Sequence, residues 1–123
     1  MNIIDSHIHI TPPEIIENMD KYRNIDEYFD LLSSSKVNEN VTAEDVIDEM
    51  DKSDVDRAVV FGFGFKDMEL CRLVNNYTIE KVNQFPDRLI GFSVVNPAAD
   101  NIIEELHRCK EEGLQGVGEL FFT

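Results

Sequence analysis

The chain has 123 residues, 42% of them hydrophobic, and sets 25 acidic against 11 basic side chains for a formal charge of −14. Residues 1–123 fit one ordinary domain with a core of its own, without the compositional bias of a disordered chain. The negative balance repels phosphate backbones and anionic lipid surfaces, which argues against nucleic acid and membrane as partners.

In chain order, the first expected strand runs from Asn2 to His9. A loop with Pro12 and Pro13 follows, and IDEYFDLLSSSK then suits a short helix or cap. Thr42 is a good N-cap for AEDVIDEMDKS, where Val46, Ile47 and Met50 form an apolar stripe at helical spacing. RAVVFGFGF is a continuous apolar run, and MELCRLVNNYTIEKVNQF returns to helical period before Pro86 stops it. LIGFSVVNP is a second apolar run, ended at Pro97. Asp100 is placed to cap NIIEELHRCKEE, Gly113 suits the position after the helix, and GVGELFF reads as the last strand.

The order is β-α-β-α-β-α-β with an extra loop and helix after the first strand. Short apolar strands without alternation are typical of parallel strands covered on both faces, with helices as right-handed crossovers. The fold class is therefore α/β. Either a small open sheet or half of a (β/α)8 barrel, which takes roughly 250 residues, accommodates this pattern. No basic leader followed by an apolar run and no long hydrophobic segment occurs, so a cytoplasmic protein is expected. Cys71 and Cys109 have neither CxxC nor framework spacing and are expected as reduced, semi-buried thiols.

Chemistry in parallel α/β folds gathers at the carboxyl ends of strands. There this chain places His7 and His9, the glycine-spaced GFGF of 62–65, Asn96, and Glu119 within GVGEL. Side chains two apart on a strand leave the same face, so Asp5, His7 and His9 are expected to share one face, opposite Ile4, Ile8 and Ile10. Two neighbouring imidazoles suit a divalent ion, which lowers the pKa of bound water and polarises an electrophilic oxygen. Asp5 stands one step deeper, as a ligand or as an acceptor that orients a histidine. The plainer readings are two histidines on an exposed strand without metal, a solvated Glu119, a surface His107 and an Asn96 that only ends its strand before proline. GFGF lacks the GxGxxG spacing of a phosphate loop.

DSHIH at the end of the first strand resembles the DxHxH signature of the metal-dependent amidohydrolase superfamily. VIDEMDKSDVDRAVVFG, NQFPDRLIGFSVVNP and IEELHRCKEEGLQGVGEL are similar to the next three strand regions of its amidohydrolase-related branch, which includes aminocarboxymuconate-semialdehyde decarboxylase-like proteins. The resemblance covers nearly the whole chain. It implies a TIM-barrel metal-dependent hydrolase, of which this chain supplies the N-terminal half, (β/α)4, strands one to four. It implies a divalent metal, commonly zinc, held by His7 and His9. Glu119 falls where some branches place a metal ligand, and it is the candidate catalytic carboxylate of this half. Asp5 completes the candidate metal set. The implied reaction is hydrolysis of a small-molecule amide or ester, or decarboxylation of a carboxylate.

The family draws further histidines and an aspartate from strands five to eight, beyond the four strands expected here. The chain alone is thus expected to be inactive, as a piece of a longer enzyme. Its complement is expected to be a missing C-terminal half, a second polypeptide, or a second copy forming a homodimer. Three rivals stand beside this reading. A non-catalytic half-barrel module is one. A PHP-type phosphoesterase shares the strand-borne HxH, though the PDR and GVGEL segments argue against it. A flavodoxin-like sheet needs glycines where IHITPPE offers prolines.

Overall fold

A computed structural model describes residues 3–34, 40–118 and 120. Asn2, Ser35, Lys36, Glu119, Phe121 and Phe122, all within expected elements, lie outside the described residues. The elements are β1 (Ile4–His9), α1 (Pro13–Ile16), α2 (Met19–Ile25), α3 (Glu27–Ser33), α4 (Ala43–Ser53), β2 (Arg57–Phe61), α5 (Met68–Gln84), β3 (Leu89–Ser93), α6 (Ile102–Glu111) and β4 (Gly116–Val117). All neighbouring strands pair in parallel, in the order β1-β2-β3-β4. An open doubly wound sheet reverses direction at a switch point. This one does not. Each strand lies beside its predecessor, as in a barrel.

Local chemistry accounts for the element ends. Thr42 and Asp45 form a reciprocal capping box on α4, and Asp54 stops that helix in the left-handed region at φ 55. Such a cap contributes about 1 kcal/mol. Asp67 caps α5 by accepting from the N–H of Glu69. α6 departs from expectation, because Asn101 rather than Asp100 stands at its N-cap, at φ 64 and without a side-chain cap bond. Gly113, at φ 111, takes the position after α6 that the sequence suggested.

Strand register separates two faces. Ala58 pairs with Leu89, and Val60 with both Ile8 and Gly91, so these share the face packed by Val46, Met50, Tyr77, Val82, Cys109 and Leu114. A Cβ on Gly91 would stand 2.5 Å from Leu114 Cδ2 and 2.7 Å from Val82 Cγ2, so helix and sheet touch there without room for a side chain. The opposite face carries His9, Val59, Phe61, Ile90 and Phe92. Burial along β3 alternates between buried and half-buried, and along β2 it does so until Phe61. The apolar runs thus read as covered on both sides; α4, α5 and α6 cover the first face, whereas the helices before α4 reach the second at Phe61. This other face is the one a closed barrel turns inward.

The segment between β1 and β2 is richer than expected. Where the sequence suggested a short helix or cap at residues 25–36, the three helices α1, α2 and α3 form a cap whose Ile15, Tyr22 and Phe29 pack with Phe61, Phe63, Phe65, Cys71, Val74 and Val94. Asp26, 3% exposed, ties this cap to the loop after β2. Its Oδ1 accepts from the N–H groups of Tyr28, Phe29 and Lys66, and its Oδ2 from that of Asp67.

Candidate metal centre

β1 is not a regular strand. Asp5 pairs with Ala58 and Ile8 with Val60, so two residues, Ser6 and His7, stand opposite Val59 alone. This is a β-bulge, which re-aims the side chains on either side of it. The expectation that Asp5 shares a face with His7 and His9 is corrected by this extra residue. Asp5 falls in register with the helix-packed face and borders a groove with Ile8, Val41, Asp45, Val46 and Met50. Its Oδ1 accepts from the backbone N–H of His7 at 3.2 Å, so its carboxylate holds the bulge.

Beyond the bulge the two imidazoles come together. Their ring centroids lie 5.3 Å apart, and both meet the edge or face of Phe61, at 5.1 Å from His7 and 4.8 Å from His9. His7 is exposed and His9 half-buried. Phe63 lies flat on the His9 ring, centroids 4.3 Å apart and planes within 1°. His9 Nδ1 stands 3.4 Å from the carbonyl oxygen of Gly62. The two nitrogen donors suit zinc, manganese or a similar ion, but a protein metal site takes three or four ligands. Among the described residues, no group of three or more His, Cys, Asp or Glu side chains is placed to hold a metal. Glu119 lies outside them.

The other strand-end residues do structural work. Asn96 is buried, its Nδ2 donates to the Lys66 carbonyl at 3.0 Å, and its Oδ1 accepts from Ala98 N. It joins the loops after β2 and β3, a role the sequence reading of a mere strand end missed. His107 is exposed on α6. A groove of about 680 Å3 between α6 and β4, lined by Ile103, Leu106, His107, Leu114 and Val117, includes neither histidine of β1. Cys71 and Cys109 are free and buried. Among the described residues no helix is long and apolar enough to cross a membrane.

What sequence reasoning missed is the aromatic wall. Phe61 and Phe63 pack against the histidines, Phe92 lies beside Phe61 with ring centroids 6.5 Å apart, and Phe65 stacks on Phe29 at 4.6 Å. The signal was present in GFGF, set aside there as a poor phosphate loop.

Strand order, crossover helices and the strand-end histidine pair define a parallel α/β fold of the barrel type. No family model matches the chain. No curated protein matches it either. Solved structures do, and they bear out the fold. A 5-carboxyvanillate decarboxylase from Novosphingobium aromaticivorans, complexed with manganese and 4-hydroxy-3-methoxy-5-nitrobenzoic acid, superposes at a TM-score of 0.71 and 22% identity. The match covers 94% of this chain and 40% of that one. A 4-oxalomesaconate hydratase from Rhodopseudomonas palustris matches at 0.63 and 24%, over 94% of this chain and 40% of its own. A 2,6-dihydroxybenzoate decarboxylase matches at 0.64 and 19%, over 95% and 38%. The chain thus spans about two-fifths of the length of the enzymes whose fold it shares.

Proposed function

We propose that this chain is the metal-holding half of an amidohydrolase-type enzyme acting on a small-molecule amide, ester or carboxylate. The observation that carries the reading is the pair His7 and His9, side by side at the mouth end of the first strand, 5.3 Å apart. They would hold one divalent ion, zinc by the chemistry of imidazole and manganese by analogy with the decarboxylase neighbour. Such an ion supplies Lewis-acid polarisation of a substrate oxygen. Asp5 acts at one remove, fixing the bulge through His7 N rather than reaching the ion.

Two imidazoles need completing. Glu119 is the proposed third ligand from this chain, and the remaining ligands and the proton-transferring group come from a complementary half. That half is either further sequence or a second chain, including a second copy. Two of the neighbours are named as decarboxylases of aromatic acids. Decarboxylation therefore stands ahead of hydrolysis. Two free thiols fit a reducing, cytoplasmic setting.

The test is elemental metal analysis of the purified chain beside a His7→Ala, His9→Ala double variant, each sized by light scattering. Stoichiometric metal in the wild type alone is expected, and the mass states whether copies pair. Equal metal content in both proteins would sink the reading.

A further inference from the structure

We infer that the foot of the inward sheet face docks a polypeptide of different sequence that brings a carboxylate to Arg57, and that a second copy of this chain is not that partner. The inference rests on the half-barrel reading and names what the other half must carry. Arg57 opens β2 in register with Ile4. Ala58 and Val60 pack toward the helices, so alternation turns Arg57 to the opposite side with Val59 and Phe61. On that side Val59, Ile90 and Phe92 are only half-buried, and Ile4 is 54% exposed.

Arg57 is half-buried too, and among the described residues its Nε is a buried donor without a hydrogen-bond partner. The neighbouring arginine is fully engaged. Arg88 donates to Asp56 O at 3.0 Å and Val55 O at 3.2 Å, and it pairs with Asp51 at 2.8 Å. Asp56 and Asp87 line the same hollow as Arg57, yet the Asp56 carboxylate accepts from Ile3 N at 2.7 Å. Among the described residues neither aspartate forms an ion pair with Arg57. A guanidinium does not give up its charge, so its burial calls for an acceptor, and a carboxylate matches its fork.

Position decides between a small ligand and a polypeptide. Phe61, which meets both imidazoles, stands four residues further along β2, about 13 Å at the rise of a strand. The acceptor is therefore wanted at the foot of the barrel, away from the mouth where substrates enter. Side chains fill the interior of an eight-stranded barrel, so the other half supplies it. A longer partner sequence has precedent, since the manganese-bound decarboxylase is matched over 94% of this chain but only 40% of its own. A second copy does not serve. In a ring of eight strands each strand faces the fourth one on, so two copies would set β2 against β2 and the two Arg57 guanidinium groups against each other. Like charges repel strongly where water is excluded.

The experiment turns that clash into a readout. Whole-chain wild type, Arg57→Glu and Arg57→Leu are checked for folding by circular dichroism. They are then sized by sedimentation velocity over a concentration series, alone and in equal mixtures. Wild type is expected to stay monomeric, and its mixture with Arg57→Glu to form a 1:1 dimer, at least about 10-fold tighter than either protein alone. The mixture with Arg57→Leu should gain less. Wild type that dimerises as tightly as the Arg57→Glu mixture, or a mixture no tighter than its parts, would overturn the inference. Urea unfolding decides the matter if Arg57→Glu fails to fold. Arg57→Leu should unfold at the wild-type midpoint or above it, because no partner is lost; a clear fall would show that Arg57 already has its acceptor within the chain, and the inference would fail. Metal content tests the histidine reading without touching Arg57, so the two fail separately.

Discussion

Asn75 Nδ2 donates to Glu105 Oε2 at 2.9 Å, between two side chains that are 0% and 1% exposed. The same amide closes the exit of β3, donating to Val94 O at 2.9 Å and accepting from Val94 N at 2.8 Å. Arg108 grips both oxygens of Glu105, at 2.7 and 2.8 Å. One buried network thus fastens α5 and α6 to the strand end behind the candidate site.

Glu105→Leu removes the acceptor of that network and leaves Asn75 and Arg108 without it. The expected loss is about 3–5 kcal/mol, read as a shift of the urea unfolding midpoint.

The same carboxyl sets a pH dependence. Burial alone pushes its pKa up, but the hydrogen bonds from Arg108 and Asn75 and the Arg108 charge outweigh burial and hold it below the ordinary 4.5. Because the folded value lies below the unfolded one, the unfolded chain takes the proton more readily, and acid favours unfolding. The contribution is complete above the ordinary value and fades as pH falls through the folded one. In Glu105→Gln, unfolding followed from neutral pH into acid should show a smaller loss over this window than wild type. Parallel curves for the two proteins would contradict it.

Asp26→Asn tests the tie between cap and sheet. Both carboxylate oxygens accept from backbone N–H groups, and an amide must turn an N–H toward one of them. Asparagine is therefore expected to cost nearly as much as alanine, about 2–3 kcal/mol in thermal or urea unfolding.

Gly91→Ala places a methyl within 2.5 Å of Leu114 and 2.7 Å of Val82. The expected cost is about 1–3 kcal/mol by overpacking, recovered in part by Leu114→Ala in the same chain, which calorimetry of the double variant measures.

Cys71 and Cys109 are pushed up to about 11 and about 12, first by burial and, at Cys109, next by the Glu105 charge. The reactive thiolate is thus scarce at neutral pH. Alkylation of the folded chain with iodoacetamide should leave both thiols unmodified, and denaturant should release both, as intact-mass spectrometry records.

Much of this arrangement is legible in the sequence, for physical reasons that also mark where legibility stops. The strands at 57–61 and 89–93 and the helices at 43–53 and 68–84 stand out because apolar period and caps agree. Asp5 does not, because a period of two holds only along an unbroken ladder, and the bulge at Ser6 and His7 depends on pairing with Val59. The cap of α1 to α3 is hidden because Asp26 is bonded to Lys66 and Asp67, forty residues away, and no local signal announces that. The unequal cover of the two sheet faces is hidden too, since Val59, Ile90 and Phe92 read the same whether or not anything covers them.

The order β1-β2-β3-β4 also bears on how the molecule comes into being. No strand waits for a later one to fit between itself and its predecessor, so a chain leaving the ribosome can lay down its sheet one βα unit at a time. Asp26 is the exception to that schedule. Its bonds to the loop after β2 close only once Lys66 and Asp67 have emerged, so the cap is set after the strand that precedes it.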